Sequence, residues 1–279
     1  MKSNLIIFIS LLIGIQISAQ ELSVNFDVGY GFNIATESII EGYSNRIGEY
    51  ETEFKSIIYS HGRGLNFNSE IEYFPQKQIG FGLGIGYLKS KKFDVLFNRI
   101  DFVSTDVYSA RMLRFSSYLK MRHEFENLAI YTRFGYVLGV LGEITREDTW
   151  NTDTGNEGFS KTVYDEGVSQ GGTAGLGIEI KINERLNLNS EVKLIVQSYG
   201  PKRRRLVERT QNGESTLDEL KPGEIQTNYV DNYIQQWNPD GTTDFSEPLT
   251  VLRRFHPFSS VGINLGIQYK LIKEKKRKK

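Results

Sequence analysis

The stretch Ile79-Gly80-Phe81-Gly82-Leu83-Gly84-Ile85-Gly86-Tyr87 alternates a large apolar residue with glycine over its whole length. Glycine spacing of this kind is not a phosphate-cradling loop. Positions 85, 87 and 89 are Ile, Tyr and Lys, so no G-x-G-x-x-G exists. A flexible linker would not keep a strict hydrophobic alternation. Successive side chains of a β-strand point to opposite faces, so the stretch reads as a strand with one apolar face and one face bare of side chains. The glycine row predicts room for bulky groups arriving from other strands.

The same period of two recurs on both sides. Leu22, Val24, Phe26, Val28, Tyr30 and Phe32 alternate with Ser23, Asn25, Asp27, Gly29, Gly31 and Asn33. Equivalent runs occupy 65–73, 113–122, 128–138, 175–182, 186–194 and 261–270, which makes eight strands in all. About ten residues is the length a tilted strand needs to cross a bilayer. An even number of strands suits a sheet closed on itself, with no unpaired edge in lipid. The connections alternate too: 74–78, 126–127 and 183–185 are short, whereas 36–64, 90–111, 146–170 and 200–254 are long and polar. Short turns on the periplasmic side and long loops outside are the asymmetry of an outer-membrane barrel. Tyr73, Phe74, Phe125 and Tyr269 are expected at the inner membrane interface and Tyr30, Phe32 and Tyr87 at the outer one. The expected fold is therefore all-β: a closed eight-stranded antiparallel up-and-down transmembrane β-barrel with four long extracellular loops. A soluble β-sandwich, whose strands also alternate, is the competing architecture.

Composition and the N-terminus agree with export. Met1-Lys2, the apolar run Leu5 to Ile17 and Ser18-Ala19-Gln20 have the layout of a signal peptide over residues 1–19, leaving 20–279 as the barrel domain. Nothing after it has the long apolar run of a membrane-spanning helix, about 18 residues or more. The chain has no cysteine, hence neither a disulfide framework nor a lipid-anchored cysteine. With 34 basic and 34 acidic residues it has no overall attraction to nucleic acid.

In such a barrel the polar parity faces inward. It places Asp27, Glu70, Glu72, Glu124, Glu143, Glu179 and Glu191 against Arg114, Lys120, Arg122, Arg133, Lys181, Lys193 and Lys270. An eight-stranded barrel is only wide enough for side chains, and porin channels need about 16–18 strands. Buried opposite charges should pair, so the expectation is a plugged interior rather than an open pore.

Little else points to chemistry. His61 lies in the first long loop, His123 on the lipid-facing parity, and His256 three residues before Ser259-Ser260. A serine nucleophile needs its base within hydrogen-bond reach, and sequence proximity does not supply that. No HExxH or CxxC spacing occurs, and no catalytic, cofactor or metal residue is assigned. Lys202-Arg203-Arg204-Arg205 forms a candidate surface anion site for lipopolysaccharide phosphates, with a solvated charge run as the plainer reading. Trp150 and Trp237 lie in long loops, and the basic end Lys273 to Lys279 reads as a solvated tail.

The segments YFPQKQIGFGLGIGYL (73–88), MLRFSSYLKMRHEF (112–125), NLAIYTRFGYVLGV (127–140) and HPFSSVGINLGIQYKL (256–271) resemble the outer-membrane β-barrel domain family of small eight-stranded, porin-like proteins of Gram-negative bacteria. The resemblance implies the barrel and its location, and carries over no catalytic or ligand residue. Such barrels often end on an aromatic residue, whereas here ten residues follow Tyr269. The expected role is a monomeric structural or surface-interaction scaffold in contact with outer-membrane lipid and lipopolysaccharide. An extracellular ligand or envelope partner would bind through the loops, above all 202–245. A narrow channel, a lipid-modifying enzyme using His256, and a secretion-accessory barrel are the alternatives.

Overall fold

The computed structural model describes residues 21–34, 37–43, 53–99, 102–232 and 243–273. The expected leader, Trp237 and the tail beyond Lys273 lie outside these. The chain is all-β, with 77% strand and 3% helix. Eight strands form a ring: β1 (Glu21–Asn33), β2 (Gly64–Gln76), β3 (Ile79–Ser90), β4 (Phe102–Glu124), β5 (Leu128–Thr152), β6 (Val168–Lys181), β7 (Leu186–Gly200) and β8 (Ser260–Lys273). Each pairs antiparallel with its neighbours in this order, and β8 pairs with β1 from Ser260↔Asn33 to Lys273↔Glu21.

The ring places polar residues inside and apolar ones outside. Phe26, Phe81, Leu83, Phe134, Leu176, Ile263 and Leu265 are exposed on its outer face, with Leu83 at 68%. Glu70, Glu72, Lys120, Arg133 and Gln268 are buried on the inner face. This inverts the distribution of a water-soluble protein, where charged groups are seldom fully buried.

The glycines of the opening stretch face inward. Gly80 lies against the ring of Phe74, Gly82 against Tyr118, Gly84 against Glu70 and Ser116, and Gly86 against Asn68. A Cβ at any of the four would overlap these groups. The bare face of β3 is thus the wall against which side chains from β2 and β4 lie.

Three expectations need correction. Phe74 is not an interface residue: it sits on the inward parity of β2 and is fully buried. Glu143 does not face the interior. Opposite the step from Arg111 to Leu113, β5 carries one extra residue, and Leu141 takes φ 50° and stands 79% exposed. Such a bulge leaves one residue unpaired and reverses the parity beyond it. Gly142 and Ile144 therefore turn inward, and Glu143 pairs on the outer face with Arg111 at 2.8 Å. Lys181 and Glu124, finally, are exposed at the short-turn end rather than enclosed.

The long polar segments are not mainly loops. β4 and β5 run for 23 and 25 residues, and their far halves pair with each other and with flanking strands. Phe93–Arg99 joins β4, and Glu157–Asp165 joins β5. Arg203–Gln211 and Gln226–Val230 follow, then Leu249–Leu252 in parallel. The hairpin of Glu37–Tyr43 and Glu53–Tyr59 attaches to Phe93–Arg99. Above the ring, one face of β4 carries Ser104, Asp106, Tyr108 and Ala110 and the other Val103, Thr105, Val107 and Ser109. Polar and apolar residues share both faces there, so the hydropathy alternation fades although the backbone ladder continues. The ring thus carries a raised sheet platform at this end.

Gly82→Leu should abolish the folded form, seen as loss of heat-modifiable electrophoretic migration, because its side chain has no space beside Tyr118. Leu83→Ala, one residue along and facing outward, should fold as the parent does.

Candidate functional site in the ring interior

Six acids (Glu21, Asp27, Glu70, Glu72, Glu179, Glu191) and six bases (Arg114, Lys120, Arg122, Arg133, Lys193, Lys270) project into the ring. Alternate positions on each strand bring them there, and they stack in tiers from the short-turn end upward. In the first tier Arg122 donates to both oxygens of Glu21, at 2.8 and 3.0 Å, and Lys270 donates to Glu21 at 2.9 Å. The Arg122 guanidinium lies 3.8 Å from the centre of the Phe74 ring, an aromatic face that attracts a cation.

In the second tier the Lys120 ammonium donates to both oxygens of Glu72 at 2.9 Å and to Glu179 at 2.6 Å, over the face of Tyr131. Gln268 donates to Glu72 at 2.7 Å. In the third, Arg133 lies between Glu70 and Glu191, at 2.6 and 2.7 Å. The Tyr118 hydroxyl is 2.9 Å from both Glu70 and Glu72 and ties the two tiers together. Lys193 approaches Glu70 at 3.7 Å, and Asp27 accepts from Asn68 and Asn264 at 2.6 and 2.9 Å.

Arg114, in the fourth tier, has no carboxylate partner among the described residues; it donates to Gln197 and Asn66 at 2.9 Å each and to the Phe258 carbonyl at 3.2 Å. Above it the interior becomes apolar. Leu88, Ala110, Met112, Ile144, Tyr199 and Phe258 form a buried cluster across the ring. Tyr199 fixes this lid by donating to the Gly142 carbonyl at 2.5 Å, at the bulge. A cavity of about 250 Å³ opens at the short-turn mouth, lined by Glu21, Arg122, Glu179 and Lys270 among others. Deeper, beside Lys193, Asn66 and Asn264, a cavity of about 10 Å³ has room for about one water.

Over the lid sit His61 and His256, ring centres 6.0 Å apart, in a cage with Tyr59, Phe93, Tyr108, Tyr164 and Phe258. The backbone N–H of His61 donates to the Pro257 carbonyl at 2.9 Å, and the Ser60 hydroxyl donates to the Ser259 backbone carbonyl at 2.5 Å. The first and last long segments are thereby joined. Burial, with the neighbouring His256, pushes the His61 pKa down to about 3, and burial followed by Arg254 pushes His256 down to about 4. Both rings are neutral at pH 7. Their burial was not readable from sequence, where each is a lone histidine in a polar segment. His256 is not hydrogen-bonded to Ser259, whose hydroxyl instead contacts the backbone of Gln197 at 3.0 and 3.3 Å.

The other sequence candidates are dispersed. Asp27, Glu70, Glu72, Arg114, Lys120, Arg122, Arg133, Glu179, Glu191 and Lys193 are brought together as above. In the basic run, Arg203 pairs with Asp165 and Glu166 at 3.0 and 2.6 Å, and Arg205 with Asp165 at 2.5 Å. Arg203 lies directly opposite Asp165 in the platform sheet, so two of the four bases are occupied within the fold. Trp150 packs on Gly158 and stacks near Phe102. Among the described residues no group of three or more His, Asp or Glu is placed to hold a metal.

Arg133→Met should lower unfolding stability by about 3–5 kcal/mol, because it leaves Glu70 and Glu191 buried without their shared cation. Combining it with Glu70→Gln and Glu191→Gln should recover much of the loss in urea titrations. The histidine cage predicts a separate acid sensitivity. The unfolded chain binds protons at His61 and His256 below about pH 6.5, whereas the folded chain resists them down to about 3 and 4. Stability contributed by the neutral pair is therefore complete above pH 6.5 and declines as the pH falls toward 4. Urea midpoints of a His61→Phe/His256→Phe variant should vary less across that window than those of the parent.

No protein-family profile and no curated protein matches the chain, so the resemblance to outer-membrane barrels rests on the strand segments themselves.

Proposed function

We propose that the chain is a closed eight-stranded β-barrel spanning the outer membrane, a non-conducting scaffold that holds the platform sheet at the cell surface. The observation that carries this reading is the inverted ring: exposed leucine, isoleucine, valine and phenylalanine side chains all around its outer face, with the charges enclosed. Contiguous apolar surface of this extent marks contact with a membrane or a partner. A ring rather than an open sheet satisfies every backbone group at membrane depth. Tyr87, Tyr136 and Tyr269, each partly exposed, fit the interfacial role of amphipathic rings.

A structural role is favoured over a channel by the interior. Charge pairs fill three tiers, and the apolar lid of Leu88, Met112, Ile144, Tyr199 and Phe258 closes the column beneath the platform. Water and ions entering the short-turn mouth meet paired charges and then a dry layer. The platform, built from the four long segments, is the surface available to extracellular ligands or envelope partners.

Because the chain has no cysteine, single introduced thiols report position cleanly. In reconstituted bilayers, Leu83→Cys and Leu265→Cys should resist a membrane-impermeant maleimide, while Thr154→Cys at the tip of the Thr152–Glu157 turn should react on intact cells. Planar-bilayer recordings should show no unitary conductance. Rapid labelling of both belt positions in bilayers would refute the membrane-spanning reading, and steady conductance would refute the closed interior.

A further inference from the structure

We propose that the outer wall of β2–β4, just above the apolar belt, binds the phosphate groups of a phosphorylated glycolipid through Arg63, Lys89, Lys91 and Arg111. The inference rests on the membrane-spanning reading and gives that wall a specific lipid partner.

The sheet register assembles the patch. Phe67, Tyr87 and Leu113 stand side by side as an outward row on β2, β3 and β4. One row farther toward the platform, Leu65, Lys89, Arg111 and Glu143 are direct cross-strand neighbours. Farther still, Lys91 follows β3 and donates its backbone N–H to the Arg63 carbonyl at 2.8 Å, which sets these two bases together. Lys89, Lys91 and Arg111 are exposed, and Arg63 is partly so.

Two features set this cluster apart from an ordinary solvated charge run. Lys89 and Arg111 are directly opposed like charges, an arrangement that weakens a strand pair unless a counter-charge lies across it. Among the described residues, Glu143 supplies one for Arg111 alone, and Arg63, Lys89 and Lys91 make no ion pair. The cluster is also confined to one sector. At the platform-side rim of β6 and β7, the outward residues are Val168, Gln170, Val196 and Ser198, all uncharged.

The position selects the partner. A ligand held here has phosphate oxygens beside the bases and acyl chains against Phe67, Tyr87 and Leu113 immediately below. A glycolipid carrying more than one phosphate matches both the two-row spread of the bases and the apolar row. Lys202-Arg203-Arg204-Arg205 is a poorer match, since Arg203 and Arg205 already share Asp165.

The test is native mass spectrometry of the folded chain in detergent, titrated with bis-phosphorylated lipid A, with the same lipid after phosphatase treatment, and with phosphatidylglycerol. The parent should retain lipid A, and removing its phosphates should weaken retention by about tenfold or more, as expected for lost charge-assisted hydrogen bonds. Lys89→Gln/Lys91→Gln should show the same loss with unchanged heat-modifiable migration, and Lys202→Gln should bind as the parent does. Undiminished retention by the double variant, equal retention of phosphatidylglycerol, or an equal loss in Lys202→Gln would overturn the proposal. Retention is read in detergent and membrane insertion by thiol labelling in bilayers, so the two readings fail separately.

Discussion

Arg133 on β5, gripped by Glu70 of β2 and Glu191 of β7, is the contact on which the interior depends. The three strands are not neighbours in the ring, so this one guanidinium spans its hollow rather than reinforcing an adjacent pair. Lys120 does the same from β4 to Glu72 on β2 and Glu179 on β6, and Arg122 from β4 to Glu21 on β1. A slip of one residue in any of these strands would turn its charges to the outside and its leucines and isoleucines inward. The cost of an unpaired buried charge therefore acts on register as much as on stability. Buried ion pairs are weak evidence for net stability; here their geometric role is the clearer one.

The glycines and the charges are two halves of one packing solution. Eight strands enclose a space that side chains fill, and arginine, tyrosine and phenylalanine are large occupants. Gly80, Gly82, Gly84 and Gly86 remove four successive inward side chains on β3, below Leu88, and Phe74, Tyr118, Glu70 and Asn68 lie in the space so released. Gly177 beneath Tyr131 and Gly175 beside Glu191 repeat the arrangement on β6. The outer face faces no such constraint of fit, which is why its residues vary freely in size along each strand.

Period-two hydropathy made the eight ring strands and eleven of the twelve charged interior residues legible, all but Glu21, because a strand's parity is a geometric certainty once its face is known. Glu143 escaped because a bulge is a local backbone choice. Leu141 gives no sign in one sequence that it will take a left-handed conformation and offset the count. Lys181 was assigned by parity correctly but lies past the end of the enclosed column. The platform strands were invisible for a different reason. Their two faces have mixed hydropathy, and backbone hydrogen bonding leaves no mark on composition. The histidine cage depends on residues nearly two hundred positions apart, His61 and His256, which no local pattern relates.

The pairing of β1 with β8 couples Glu21 to Lys273, the first and last of the described residues. Until β8 is in place, β1 and β7 are open edges, and open edges are where strands of other molecules add. Contacts of such large sequence separation are slow to form, since the intervening chain must be ordered or looped first. The His61–Pro257 hydrogen bond adds a second long-range tie above the same seam. Ring closure thus waits on the pairing of β8 with β1 and β7, the step that removes both open edges at once.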